Sequence, residues 1–118
     1  MRLLAVAAVL SLGLSAPAFA QGTCRMVHGR MMLTNGTPSV RIRVDGAKVM
    51  LGVVQQDETF GDLPANLRRL WGAQGDEAMW SNDLTGDFEV CPVSKIRAGE
   101  MQTVRVRKAR GLKVRPRD

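Results

Sequence analysis

The sequence has 118 residues, 45% hydrophobic and 4% aromatic, with two cysteines, one histidine and a formal net charge of +6. That length suits one compact core and gives no second domain room to fold. A lone histidine excludes a paired-histidine zinc set, and neither GxSxG nor HExxH occurs, so the common hydrolase signatures are absent.

Residues 1–20 read as a signal peptide. Met1 and Arg2 give a positive start, residues 3–14 are apolar, and Ala18-Phe19-Ala20 is a small-residue exit with cleavage expected after Ala20. An apolar run of about a dozen residues is too short to cross a hydrocarbon core of roughly 30 Å, and no later run is longer. No transmembrane segment is expected. Cys24 follows Thr23 rather than the cleavage point, which argues against a lipid-anchored cysteine. The expectation is a periplasmic or secreted chain, 21–118 forming a single β-rich domain. Cys24 and Cys91 lie at opposite ends of the folded segment and form no close CxxC pair, so in an oxidising compartment they are expected to join in one structural disulfide.

Residues 26–34 make a first strand, closed by the turn cluster Asn35-Gly36-Thr37-Pro38. Val40, Ile42 and Val44 alternate with Arg41 and Arg43, the period of a strand with one buried face. Asp45-Gly46 is a two-residue hairpin signal that would pair Val44 with Ala47, Ile42 with Val49, Val40 with Leu51, and Arg43 with Lys48 on a wet outer face. Leu63, Leu67, Leu70 and Trp71 recur at helical spacing behind Asp62, with Pro64 in the first turn and Gly72 as terminator. They predict one short helix over about 63–71, capped at both ends. A strand is expected again from Glu77 through Trp80, then a turn over 81–86, then Phe88 and Val90 before Cys91-Pro92. A last strand covers 101–107, with Val104 and Val106 inward, and a basic C-terminal tail follows over about 108–118. The pattern predicts about six short strands in a small antiparallel β-sandwich or barrel with one inserted helix.

Chemistry-bearing residues are sparse. His28 stands before Gly29 in the first strand. The carboxylates Asp57-Glu58, Asp76-Glu77 and Asp83 with Asp87 fall in predicted loops or turns, where solvation accounts for them. Asp83-Leu84-Thr85-Gly86-Asp87 lacks calcium-loop spacing and reads as a β-turn. Six methionines follow the leader, and thioether sulfur with His28 would suit Cu(I), Met31 being the nearest candidate. Methionine also fills irregular cores, and the adjacent Met31 and Met32 point to opposite faces of a strand. No resident metal or cofactor is expected.

Charge is unevenly placed: seven basic residues fall in 105–118, whereas 21–104 carries nine basic against ten acidic. In an exported chain such a surface meets anionic lipid, cell-wall polymer or acidic protein rather than nucleic acid. Arg41, Arg43, Lys48, Arg105 and Arg107 are the candidate binding surface.

Val27-His28-Gly29-Arg30, Asn35-Gly36-Thr37-Pro38-Ser39 with Arg41-Ile42, Leu51-Gly52-Val53, Gly86-Asp87-Phe88 with Val90-Cys91-Pro92, and Met101-Gln102 with Val104 together resemble an uncharacterised group of small exported proteobacterial proteins. The resemblance covers nearly the whole chain after the leader and transfers no activity. His28-Gly29-Arg30 and Thr85-Gly86-Asp87-Phe88 are also similar to the transthyretin or carboxypeptidase-regulatory type of β-sandwich, a likeness of fold only. The leading expectation is a non-enzymatic domain that binds a protein or an anionic envelope component. The alternatives are a metal-handling protein using His28 and methionines, and a hydrolase of unfamiliar type pairing His28 with a carboxylate.

Overall fold

In a computed structural model, which describes residues 23–55, 60 and 62–117, the chain forms β1 (Arg25–Leu33), β2 (Val40–Val44), β3 (Val49–Val53), α1 (Ala65–Gly72), α2 (Asp76–Ser81), β4 (Asn82–Pro92) and β5 (Gln102–Pro116). The leader expected over 1–20 and the carboxylates Asp57 and Glu58 lie outside the described residues. The strands close into a barrel in the order β1-β2-β3-β5-β4. Neighbours are antiparallel except β3 and β5, which run parallel. This is the connectivity of an OB-type Greek-key barrel, with both helices in the β3–β4 connection. Of the sandwich and the barrel expected, the chain takes the barrel.

The β2–β3 hairpin is real, but its register differs from the expected one by two residues. Val44 pairs with Val49, Ile42 with Leu51 and Val40 with Val53, around a four-residue turn in which Gly46 has φ +77°. A slip of two leaves every apolar side chain on its original face. A two-residue turn would have set Val53 opposite Pro38, which has no N–H to give the ladder. The observed register puts Val40 there instead and moves Arg43 from Lys48 to Met50. The turn is tied to the first strand, since the Asp45 N–H donates to the His28 carbonyl at 2.9 Å.

The barrel interior is filled by Val27, Met31, Val40, Ile42, Leu51, Val53, Leu84, Phe88, Val90, Val104 and Val106, all buried. Leu67 and Trp71 come down from α1, Leu63 from the turn just before it, and Met79 from α2, into the same core. Phe60 packs on Trp71 with ring centroids 5.9 Å apart. Pro64 is the N-cap of α1 rather than part of its first turn, and no side chain caps that end; the Pro64 carbonyl accepts from the N–H groups of Leu67 and Arg68.

The segment expected as strand from Glu77 to Trp80 is helix α2, following Gly75 at φ +87°. Alternation of Ala78 and Trp80 misleads here, because the residue that reaches the core is Met79 and Trp80 stays 44% exposed. Of the turn expected over 81–86, Ser81 ends α2 and residues 82–86 are the first half of β4. Asp83 is 1% exposed. The Arg117 Nε donates to its Oδ1 at 2.8 Å, and Arg30 Nη1 lies 3.6 Å from Oδ2. Asp and Gly that read as turn chemistry therefore serve a buried ion pair and a strand crossing. Gly29 and Gly86 are Cα partners across β1 and β4, and a Cβ on either would collide with a backbone oxygen, that of Arg43 for Gly29 or, at 2.9 Å, that of Arg110 for Gly86.

Cys24 and Cys91 form the expected disulfide, 67 residues apart in sequence. Replacing both by alanine is expected to lower the urea-unfolding free energy by about 4 kcal/mol, the loop-closure value for that length. Asp83→Ala is expected to lower it by about 2–3 kcal/mol. That is less than for a fully enclosed pair because both guanidinium groups reach water.

Candidate functional site

The residues expected as a loose basic tail are the far half of the longest strand. Inward along β5 come Val104, Val106 and Ala109, all buried, then the half-buried Leu112 and Val114. The spacing of two, three, three and two breaks strict alternation twice. At each break the pairing with β4 shifts: Val90 faces Val106 but Glu89 faces Lys108, and Asp87 faces Arg110 but Thr85 faces Lys113. Each shift is a β-bulge, one extra residue on β5 pushed outward. Gly111, at φ +65°, sits in the second.

The bulges keep the core side in phase and enrich the other side in cations. Arg105, Arg107, Lys108, Arg110, Lys113 and Arg115 are exposed along this face. Alternate residues of a strand lie about 7 Å apart, so the face is a linear track of positive charge. Arg107 is engaged by Glu89 in a two-point contact, Nε to Oε1 at 2.8 Å and Nη2 to Oε2 at 2.9 Å. The hydrogen bond from Arg107 holds the Glu89 carboxyl below the usual carboxylate range, slight burial opposes the shift, and the fields of Arg107, Lys108 and Arg110 deepen it. Among the described residues, Arg105, Lys108, Arg110, Lys113 and Arg115 make no ion pair.

Arg41 and Arg43 do project from the outer face of β2, but they do not join this track. Arg41 Nε donates to the Pro38 carbonyl at 3.0 Å. Between Arg41 and β5 lies Gly52, and a Cβ there would meet Pro38 Cγ at 2.6 Å and Met101 Sδ at 3.4 Å. An apolar bridge thus divides the expected surface in two. Lys48 sits in the hairpin turn, exposed.

His28 projects outward from β1, opposite in direction to Met31, which is fully buried. The structure therefore separates the histidine and the methionine expected as joint copper ligands. Both side-chain partners of the ring are carboxylates: Nδ1 lies 2.7 Å from Asp87 Oδ1 and Nε2 lies 3.5 Å from Asp45 Oδ2. No three His, Cys, Asp or Glu side chains converge on a metal position among the described residues. A concavity of about 790 Å³ lies between Leu33, Pro38, Val53, Phe60, Met79 and Trp80 and includes none of the basic face. No described helix is long and apolar enough to cross a membrane.

Lys108, Arg110, Lys113 and Arg115 had a legible signal in the apolar series Val104, Val106, Ala109, Leu112, Val114, provided that bulges were allowed for. No protein-family model, curated protein or solved structure matches this chain.

The Glu89–Arg107 contact has a defined pH signature. A carboxylate depressed on folding contributes stability that is present above its unfolded titration range and lost as pH falls through its folded one. The stability difference between the native chain and Arg107→Gln is expected to be small, since the pair is exposed, and to vanish in acid. In Arg107→Gln, the Glu89 carboxyl followed by NMR is expected to titrate closer to an ordinary glutamate. An unchanged titration would show that the hydrogen bond is not its cause.

Proposed function

We propose that the chain is an exported, non-enzymatic binding domain that holds an anionic component of the cell envelope on the outer face of β5. The observation that carries this reading is the track of five cations that, among the described residues, have no carboxylate partner, built on a strand whose other side is barrel core. Like charges at that spacing repel, so the face destabilises the free barrel and is relieved when a counter-charged partner neutralises it. The track is straight and repeats along one strand, which suits a partner with repeating charge better than one with a single anionic group. Export is supported by the Cys24–Cys91 disulfide, a bond that persists in oxidising compartments, and by the leader pattern in residues 1–20. With no catalytic set in the sequence, binding is the activity that the surface serves.

A sulfated polysaccharide column serves as a polyanion probe. The purified protein is expected to bind it in dilute buffer and to elute as screening shortens the Debye length from about 10 Å at 0.1 M salt to about 3 Å at 1 M. The triple variant Lys108→Glu, Arg110→Glu, Lys113→Glu is expected to lose at least about a hundredfold in affinity, given about 1 kcal/mol for each cation brought near an anionic surface. Arg41→Glu with Arg43→Glu is expected to change it little. Retention that ignores both salt and the triple variant would overturn the proposal.

A further inference from the structure

Beyond the basic track, the β4–β5 connection (residues 93–101) presents Ile96 at 80% exposure and Val93 at 51%, the two most exposed large apolar side chains among the described residues. Isolated surface hydrophobes are ordinary. This pair is different in how it is held and in what flanks it. The base of the loop is stapled by Cys91 and fixed by four hydrogen bonds around Ser94. The N–H groups of Val93 and Ser94 donate to the Thr103 carbonyl at 2.9 and 3.2 Å, the Thr103 N–H donates to Ser94 Oγ at 2.9 Å, and Gln102 Nε2 donates to the Ser94 carbonyl at 3.1 Å. The Glu100 N–H closes the far side onto the Arg97 carbonyl at 3.1 Å. A slack loop would fold its isoleucine back against the protein. This one is braced, with Ile96 held in water.

Lys95 and Arg97 stand on either side of Ile96, and Glu100 is the only carboxylate in the loop. At the loop's base Arg25, next to Cys24, and Arg105, paired with Cys91, add two more cations, and among the described residues none of the four is in an ion pair. An apolar point flanked by long cationic side chains, with further cations at the base of its loop, is the arrangement that an anionic bilayer surface accepts. The isoleucine enters the acyl boundary while the lysine and arginine heads stay with the phosphates. A soluble acidic protein would instead need a pocket to receive Ile96, and the charges would crowd its rim.

We propose that residues 93–97 form a docking tip through which the domain sits on an anionic lipid surface. The proposal rests on the anionic-partner reading above and names its source as lipid headgroups.

The test is co-sedimentation of the purified protein with vesicles of phosphatidylcholine mixed with phosphatidylglycerol, beside vesicles of phosphatidylcholine alone and the sulfated column. The native chain is expected to bind the mixed vesicles and not the neutral ones. Ile96→Ser, at an exposed position that leaves the core intact, is expected to reduce vesicle partition about tenfold while column retention stays unchanged. Lys95→Gln and Arg97→Gln are each expected to reduce partition about fivefold. If Ile96→Ser partitions like the native chain, or if the column retains the protein while mixed vesicles do not, the docking tip is wrong and the polyanion reading stands. If neither surface binds, both fall.

Discussion

Closure of the barrel depends on β5. The strand must hydrogen-bond to β3 in parallel at its beginning and to β4 antiparallel along the rest of its length, while keeping one side inside. A regular strand that long would twist away from the core or carry arginines into it, because side-chain phase is fixed at two residues. Two bulges resolve this. Each bends the strand and resets the phase, so that Ala109 and then Leu112 return to the interior. The bulge near Gly111 is possible because its partner strand carries Gly86 at the crossing, where any Cβ would collide with the Arg110 carbonyl. Barrel curvature, core continuity and the outward row of cations are three results of one local device.

The β4–β5 ladder is secured at both ends by different chemistry. At one end the disulfide binds Cys91 to the chain just before β1, which fixes the strands that meet at Val90 and Arg25. At the other, the buried Asp83 carboxylate draws in Arg117, just past β5, and Arg30 of β1. The Arg117 N–H also donates to the Ser81 carbonyl at 2.8 Å. The ion pair is no strong net source of stability, since taking a carboxylate out of water consumes most of what the guanidinium groups return. Its role is positional: with Asp83 enclosed, one register of β5 on β4 satisfies the charge, and a slipped one strands it.

The parts of this fold legible in the sequence are those where one residue type has one physical meaning. Alternation of valine and isoleucine against arginine marks β2, Asp45-Gly46 marks a turn, and Leu63, Leu67 and Trp71 mark a helix. Two widely spaced cysteines that form no CxxC pair mark a disulfide. The misreadings occur where meaning is shared. Asn82, Asp83 and Gly86 are turn formers by propensity, yet here tertiary demands make them strand residues, one buried in an ion pair and one thinned for a close backbone crossing. Ala78 and Trp80 alternate by chance over too short a span to tell strand from helix, although Gly75 followed by Asp76-Glu77 carried the helix-start signal. The basic stretch does not read as a strand because bulges break period two in the places where cations replace apolar residues. His28 is legible as a strand residue, but its partners, Asp45 and Asp87, come from a turn and a strand that only the closed sheet brings together.

The same strand therefore carries opposing demands. Its inner side closes the barrel by burying Val104, Val106 and Ala109, and its outer side gathers cations that repel one another along the whole length. Glu89 relieves that repulsion around one point, by engaging Arg107. Anything that neutralises the remaining charges must also favour the paired, bulged form of β5 over a frayed one, because the track exists only while the strand is held on β4. Binding and folding are linked through this ladder. The covalent staple at Cys91 and the enclosed carboxylate at Asp83 keep the strand in place when no counter-charge is present, so that the cationic face is formed without one.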